Sequence, residues 1–187
     1  ISECLVGSEM CIRDRAYIGV KGGMVILAAD DPGPISSQTE QDTRRFAAFS
    51  KLPCFDPSGV QEAYDMIQEA FAYSERYHTP VLFRPTTRVC HGYASITVKD
   101  AAEYQFNSPE GFVKDSSKWV IFPKLSYQNH IRMEKRNTEL QSVFSDYPRN
   151  RIYPETDTVC KKGIATHGIS FSYTMAVSYT HLTLPTN

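Results

Sequence analysis

The chain has 187 residues, with 20 lysines and arginines against 21 aspartates and glutamates. This near-balance gives no electrostatic basis for binding nucleic acid or an anionic membrane, and no apolar run approaches the roughly 20 residues needed to cross a bilayer. The five cysteines contain no C-x-x-C pair, which argues against a zinc site, an iron–sulfur cluster or a disulfide framework and fits a reducing cytoplasm.

Residues 1–15 and 177–187 resemble translated sequencing-adapter read-through. Neither has a hydrophobic period that joins its neighbour, so both are expected to make few contacts with a core. Between them lie 18 basic and 18 acidic residues and three widely spaced cysteines, Cys54, Cys90 and Cys160. Each of the three is expected to be a small buried apolar residue.

The first regular element is the apolar run 24–28, which reads as a parallel strand covered on both faces. It leads into Ala29-Asp30-Asp31-Pro32-Gly33-Pro34-Ile35-Ser36-Ser37-Gln38-Thr39-Glu40-Gln41-Asp42. There Ser37 and Glu40 have the spacing of a capping box. A helix over 38–51 is expected, with Phe46 and Phe49 facing the core and Asp42 favouring its positive end.

A short strand at 53–56 precedes a second capping-box pattern at Ser58 and Gln61. Val60, Ala63, Tyr64, Ile67, Phe71 and Ser74 then recur at helical spacing, with Gln61, Glu62, Asp65, Gln68, Glu69 and Arg76 on the other face. The third strand spans 81–84, opened by Pro80. Strands spaced about 28 residues apart match β-α-β crossovers. The fold class is therefore α/β, part of a doubly wound parallel sheet. Three strands give too little sheet for two covered faces, so the chain is expected to begin inside a domain.

Residues 92–124 read as a linker with a short strand at 119–122. A charged helix over 126–147 follows. Its apolar positions (Tyr127, Ile131, Leu140, Val143, Phe144) form only a broken stripe, which predicts a surface position. Residues 163–170 read as the opening strand of a second α/β domain. The expected division is thus 16–98, the back half of one domain, 99–158, the linker with its helix, and 159–176, the start of the next.

In a parallel sheet ligands bind at the carboxyl ends of the strands. Here those ends carry Asp30 and Asp31, then Asp56, then Thr86, Thr87 and Arg88. Arg88 can hold a carboxylate through two parallel hydrogen bonds, or it can pair internally with Asp30 or Asp31. Gln38 and Glu40 can face a ligand from their first turn, although the capping box already employs Glu40. His91 and His167 are further candidates, His167 only if the two domains meet there.

Several stretches together carry a resemblance. Gly22-Gly23-Met24-Val25 through Asp42, Glu62-Ala63, Thr79-Pro80-Val81-Leu82, Thr86-Thr87-Arg88-Val89, Lys118-Trp119-Val120 and the run from Gly163 to Ser170 resemble, in order and spacing, the thiamine-diphosphate-dependent indolepyruvate:ferredoxin oxidoreductase family, alpha subunit. Lys21, Pro85 and Cys90 depart from its pattern. The resemblance implies a pyrimidine-binding-type domain and ferredoxin-linked oxidative decarboxylation of an aryl 2-oxo acid to an acyl-CoA. It also implies thiamine diphosphate, Mg and 4Fe-4S clusters in the full-length protein, a beta subunit, ferredoxin and coenzyme A as partners, and a cytoplasmic location. Arg88, Gln38, Ser37 and Glu40 would then face the substrate.

The sequence has no Gly-Asp-Gly…Asn run of the kind that holds Mg and diphosphate, and no cysteine cluster. The fragment itself is therefore expected to bind none of these cofactors and to be inactive alone. A pyruvate-type relative is the near alternative. A non-catalytic α/β binding module is the alternative of a different class.

Overall fold

The computed structural model describes residues 8–104, 108, 111–153 and 163–178. Cys160, Leu182 and most of the second adapter-like end lie outside them. Helix α1 (Ser8–Ile18) comes first, then strand β1 (Val25–Leu27) and helix α2 (Arg44–Ser50). Strand β2 (Cys54–Phe55), the long helix α3 (Val60–Tyr77) and strand β3 (Val81–Phe83) complete the α/β part. Among the described residues four α-helices follow, α4 (Thr87–Cys90), α5 (Ser116–Trp119), α6 (Pro123–Ser145) and α7 (Ile169–Val177), with a 3-10 turn at Ala101–Glu103 between α4 and α5.

The three strands form one parallel sheet in the order β1-β3-β2. Val25, Ile26 and Leu27 pair with Val81, Leu82 and Phe83, while Cys54 and Phe55 pair with Leu82 and Phe83. The last strand in sequence is thus the central one, and Val81, Leu82 and Phe83 are all buried. β1 is an edge. None of residues 24–28 is fully buried and Leu27 is 67 % exposed, so the expected covering of this run on both faces is not met.

Alternate residues of a strand face opposite sides, and two apolar clusters sandwich the sheet accordingly. Val25 joins Phe55, Met66, Ala70, Val81, Phe83 and Tyr147 on one side, and Ile26 joins Ala16, Leu52 and Met133 on the other. The first cluster is strongly aromatic. The Phe55 ring meets Tyr73, Phe144 and Tyr147 edge-on at centroid distances of 5.5, 5.6 and 5.8 Å, the arrangement that the ring quadrupole favours. Arg149 then fastens the chain beyond α6 to α3 through Glu69 at 3.0 Å and Asp65 at 3.5 Å.

Several elements differ from the sequence reading, each for a local reason. The helix expected over 38–51 begins only at Arg44, because Asp31 captures the preceding loop. The Asp31 carboxylate accepts the backbone N–H groups of Ile35, Ser36 and Ser37 at 3.0, 2.6 and 2.7 Å, so the Ser37–Glu40 box does not form. Ala47 and Ser50 face inward from α2, while Phe49 is 62 % exposed. At α3 the cap lies one residue on: Glu62 accepts the Ser58 N–H at 2.7 Å, and Gln61 turns to Asp65 and Thr97.

The expected strand at 119–122 is replaced by α5, whose first turn Asp115 caps by accepting the Ser117 N–H at 2.9 Å. The expected strand over 163–170 does not form: residues 163–168 carry no regular element and Ile169 already opens α7. Helix α6 is not a surface helix throughout, since Leu125, Asn129, Met133 and Leu140 are buried while Tyr127 and Ile131 are exposed. Its inward row contains an amide and a thioether, which breaks the aliphatic stripe. Contrary to the expectation for residues 1–15, Ile12 packs against the Ala16–Leu52–Met133 cluster. Cys90 is exposed rather than buried, and burial pushes the Cys54 thiol up to about 12.

Candidate functional site

Each strand of the sheet delivers charge at its carboxyl end: Asp30 and Asp31 follow β1, Asp56 follows β2 and Arg84 follows β3. Arg84 ends an apolar strand at the centre of the sheet, and its side chain is 2 % exposed. A guanidinium so placed must be paired. Its Nε donates to Asp30 Oδ2 at 2.5 Å, Nη1 donates to Asp56 Oδ2 at 2.9 Å, and Nη2 lies 3.4 Å from Asp42 Oδ1. Asp30 also accepts the Thr43 N–H at 2.6 Å and the Thr43 hydroxyl at 2.9 Å. One buried cation thereby gathers the ends of β1 and β2 and the start of α2.

Asp31 faces the other way. Besides its three backbone donors it accepts the Thr87 hydroxyl at 2.8 Å, and the Ser37 and then the Ser36 N–H lower its carboxyl to about 2. Asp42 holds the start of α2, accepting the Arg44 N–H at 3.2 Å and the Arg44 Nε at 2.8 Å. Hydrogen bonding from the Arg44 side chain keeps that carboxyl well below the usual carboxylate range.

The segment before α7 closes over these strand ends. His167 Nδ1 lies 2.6 Å from Asp56 Oδ2, and Nε2 lies 2.7 Å from Arg44 Nη1. Arginine only donates, so Nε2 is the acceptor and Nδ1 carries the proton that it donates to Asp56. Gly168 makes the close approach possible. Its φ is +53°, and a Cβ there would stand 2.4 Å from Asp56 Oδ1.

An open cavity of about 440 Å³ remains between these parts. It is lined by Asp31, Arg44, Asp56, Arg84 and His167 of this network, by Thr86, Thr87 and Arg88 after β3, by Pro32 and Ile35 from the loop after β1, and by Ile169, Ser170 and Tyr173 from α7. Arg88 is exposed. Among the described residues no ion pair to it is found, and the internal pairing with Asp30 open to it in the sequence is made by Arg84 instead. Ser37 sits in the Asp31-bound loop, and Gln38 and Glu40 are exposed. These three are not among the residues lining the cavity. His91 is exposed on the turn after α4.

Sequence reasoning named Arg88, Asp30, Asp31, Asp56 and the threonines, but missed Arg84 and Arg44. The signal for Arg84 was present, namely a cation closing an otherwise apolar strand. The site of His167 was legible only conditionally, since its contact with Asp56 spans more than a hundred residues.

The acids here do not fit a magnesium-diphosphate group. Asp30, Asp31 and Asp42 are taken up by internal donors, and among the described residues no group of three or more His, Cys, Asp or Glu is placed to hold a metal.

An open parallel sheet with helices and a cavity at its strand ends places the chain in the α/β class, whose sheets bind ligands at that end. The relatives narrow that class. The chain is 35 % identical over 164 residues to the indolepyruvate oxidoreductase subunit IorA of Pyrococcus abyssi, covering 84 % of this chain and 24 % of that protein. It is 36 % identical over 159 residues to the Methanothermobacter thermautotrophicus subunit of the same name, covering 84 % and 25 %. For that of Archaeoglobus fulgidus the figures are 31 % over 171 residues, 91 % and 27 %. By sequence the chain belongs with the indolepyruvate oxidoreductase IorA subunits, and it spans about a quarter of the length of these curated relatives. No family model matches it, and no solved structure does.

Proposed function

We propose that this chain forms part of the 2-oxo acid site of an indolepyruvate-type oxidoreductase alpha subunit, and that Arg88 holds the substrate's carboxylate. The observation that carries the reading is the division between two arginines. Arg84 neutralises the buried acids, which leaves Arg88 exposed at the cavity with its donors available. A guanidinium matches a carboxylate with two parallel hydrogen bonds. Thr86 and Thr87 line the same cavity, with the Thr87 hydroxyl given to Asp31.

In this reading the three-stranded sheet is part of a pyrimidine-binding-type domain. The complete enzyme decarboxylates an aryl 2-oxo acid to an acyl-CoA and passes electrons to ferredoxin, with a beta subunit as partner and the cytoplasm as its compartment. Thiamine diphosphate supplies the electron sink for decarboxylation when bound. The residues described here do not provide its diphosphate site, so their part is to bind and orient the acid. Calorimetric titration of this chain with thiamine diphosphate and Mg is accordingly expected to show no micromolar binding.

The test is steady-state kinetics of the complete oxidoreductase carrying Arg88→Lys. Losing a charge-assisted hydrogen bond costs about 1.5–3 kcal/mol, so kcat/KM for the oxo acid should fall roughly tenfold to a hundredfold. An unchanged kcat/KM would overturn the assignment.

A further inference from the structure

Helix α7 is docked on the strand ends by its first residues. His167 donates to Asp56 and accepts from Arg44, Gly168 lies against the Asp56 carboxylate, and the Ser172 hydroxyl donates to the Ser58 carbonyl at 2.8 Å. These contacts bring the opening residues of the helix, Ile169 and Ser170, into the lining of the cavity. The first N–H groups of an α-helix have no acceptor within it and carry the positive end of its dipole. The Phe171 N–H turns back to the Gly168 carbonyl at 3.0 Å. Among the described residues no acceptor is found for the N–H groups of Ile169 and Ser170.

A second observation in the same cavity is independent of the helix. Thr86 lines the cavity and is 4 % exposed, yet its hydroxyl has no hydrogen-bond partner among the described residues. Buried polar atoms are nearly always paired, so an unpaired donor at a cavity marks a place where a ligand supplies the acceptor. The charge agrees. Three arginines, Arg44, Arg84 and Arg88, line the cavity against two aspartates. Asp31 is taken up by its three backbone donors and Thr87, and Asp56 is shared by Arg84 and His167.

We infer that the carboxylate site is bipartite: the acid held by Arg88 also accepts from the first turn of α7 and from the Thr86 hydroxyl, so that acid binding and the docking of α7 stabilise each other. This rests on the Arg88 reading for the identity of the ligand. The cation comes from the end of β3 and the backbone donors from a helix about eighty residues later, so the site is complete only when α7 is docked. A ligand that binds the docked form better shifts the equilibrium toward it, and by linkage whatever loosens α7 weakens the ligand by the same factor.

The test follows hydrogen exchange of the 187-residue chain with and without saturating indole-3-pyruvate, and the affinity of that acid by calorimetry. With the acid bound, the amides of α7 should exchange about tenfold more slowly, while those of α3 keep their rates. Gly168→Ala and Ser172→Ala loosen α7 from residues that do not line the cavity. They should weaken the acid about tenfold and about threefold respectively, with circular dichroism confirming that each variant is folded. Thr86→Val keeps the shape, removes one donor and should also weaken it about threefold. An acid that leaves the exchange of α7 unchanged would overturn the bipartite site whatever the affinities, and a loss of affinity in Arg88→Lys alone would then leave the Arg88 assignment standing. If Arg88→Lys binds the acid as the unaltered chain does while the acid still slows exchange in α7, the helix half is supported and the Arg88 anchor is wrong.

Discussion

Arg84 is surrounded by Asp30, Asp56 and Asp42 with almost none of its side chain in water. Replacing it with methionine roughly keeps the volume but removes the cation from three carboxylates, of which Asp30 is almost fully buried. Removing one partner from a buried ion network costs about 3–5 kcal/mol, and urea denaturation of Arg84→Met should show a loss of that size. Arg88 is exposed and outside that network, so Arg88→Met should move the unfolding free energy by no more than about 0.5 kcal/mol. The sequence singled out the second arginine because a residue just past a strand end faces a ligand in any open parallel sheet. The first went unread because its role depends on which strand is central. The order β1-β3-β2 places β3 between the acids of its neighbours, and nothing local to residues 81–84 states that order.

At the scale of elements, the loop from Pro32 to Asp42 is organised by one carboxylate. The Ser37 and Ser36 N–H groups hold the Asp31 carboxyl at about 2, below the unfolded value of about 3.9. A depressed folded value contributes stability that is present above the unfolded one and is lost as pH falls toward the folded one. Acid unfolding followed by circular dichroism should therefore steepen between about pH 4 and about pH 2. Asp31→Asn should flatten that part of the curve.

The lead into α7 depends on Gly168 in the same way. Gly168→Ala imposes a left-handed φ on a side chain and drives its Cβ into Asp56 Oδ1, a strain on the order of 1–3 kcal/mol. Hydrogen exchange in α7 should accelerate while the amides of β3 keep their protection. Elements with a strong period were legible as helices, α3 among them. Its buried row, however, is Met66, Ala70, Ser74 and Tyr77, turned from the expected one, whose Phe71 is exposed and whose Ala63 and Ile67 are only partly buried. The start of α2 was not legible, because a capping pattern in sequence competes with a carboxylate that arrives from the strand before it.

For the molecule as a whole, the least expected feature is the packing of α1 on α6, since residues 1–15 have no hydrophobic period of their own. Ala16 is fully buried, and Ile12, Tyr17, Leu52, Ile26 and Met133 close around it. Arg136 Nη2 also donates to the Ala16 carbonyl at 2.8 Å. Met133→Ala should cost about 2–5 kcal/mol by urea denaturation. A cost near zero would mean that α1 does not hold against α6 in solution. This contact could not be read from the sequence. It joins the first helix to one more than a hundred residues later, through a row that mixes Asn129 and Met133 with aliphatic residues. The parallel α/β class, by contrast, was legible from spacing alone, because each crossover repeats at the same length.

The central claim is that the two arginines divide the work, Arg84 holding the strand ends together and Arg88 holding a carboxylate. The most direct measurement is the affinity of the 187-residue chain for indole-3-pyruvate, before and after Arg88→Lys, with the urea midpoint taken on the same samples. The account predicts at least a tenfold loss of affinity with the midpoint unmoved, because lysine keeps the charge but loses the paired geometry. A lowered midpoint with affinity unchanged would make Arg88 a structural residue and contradict the account.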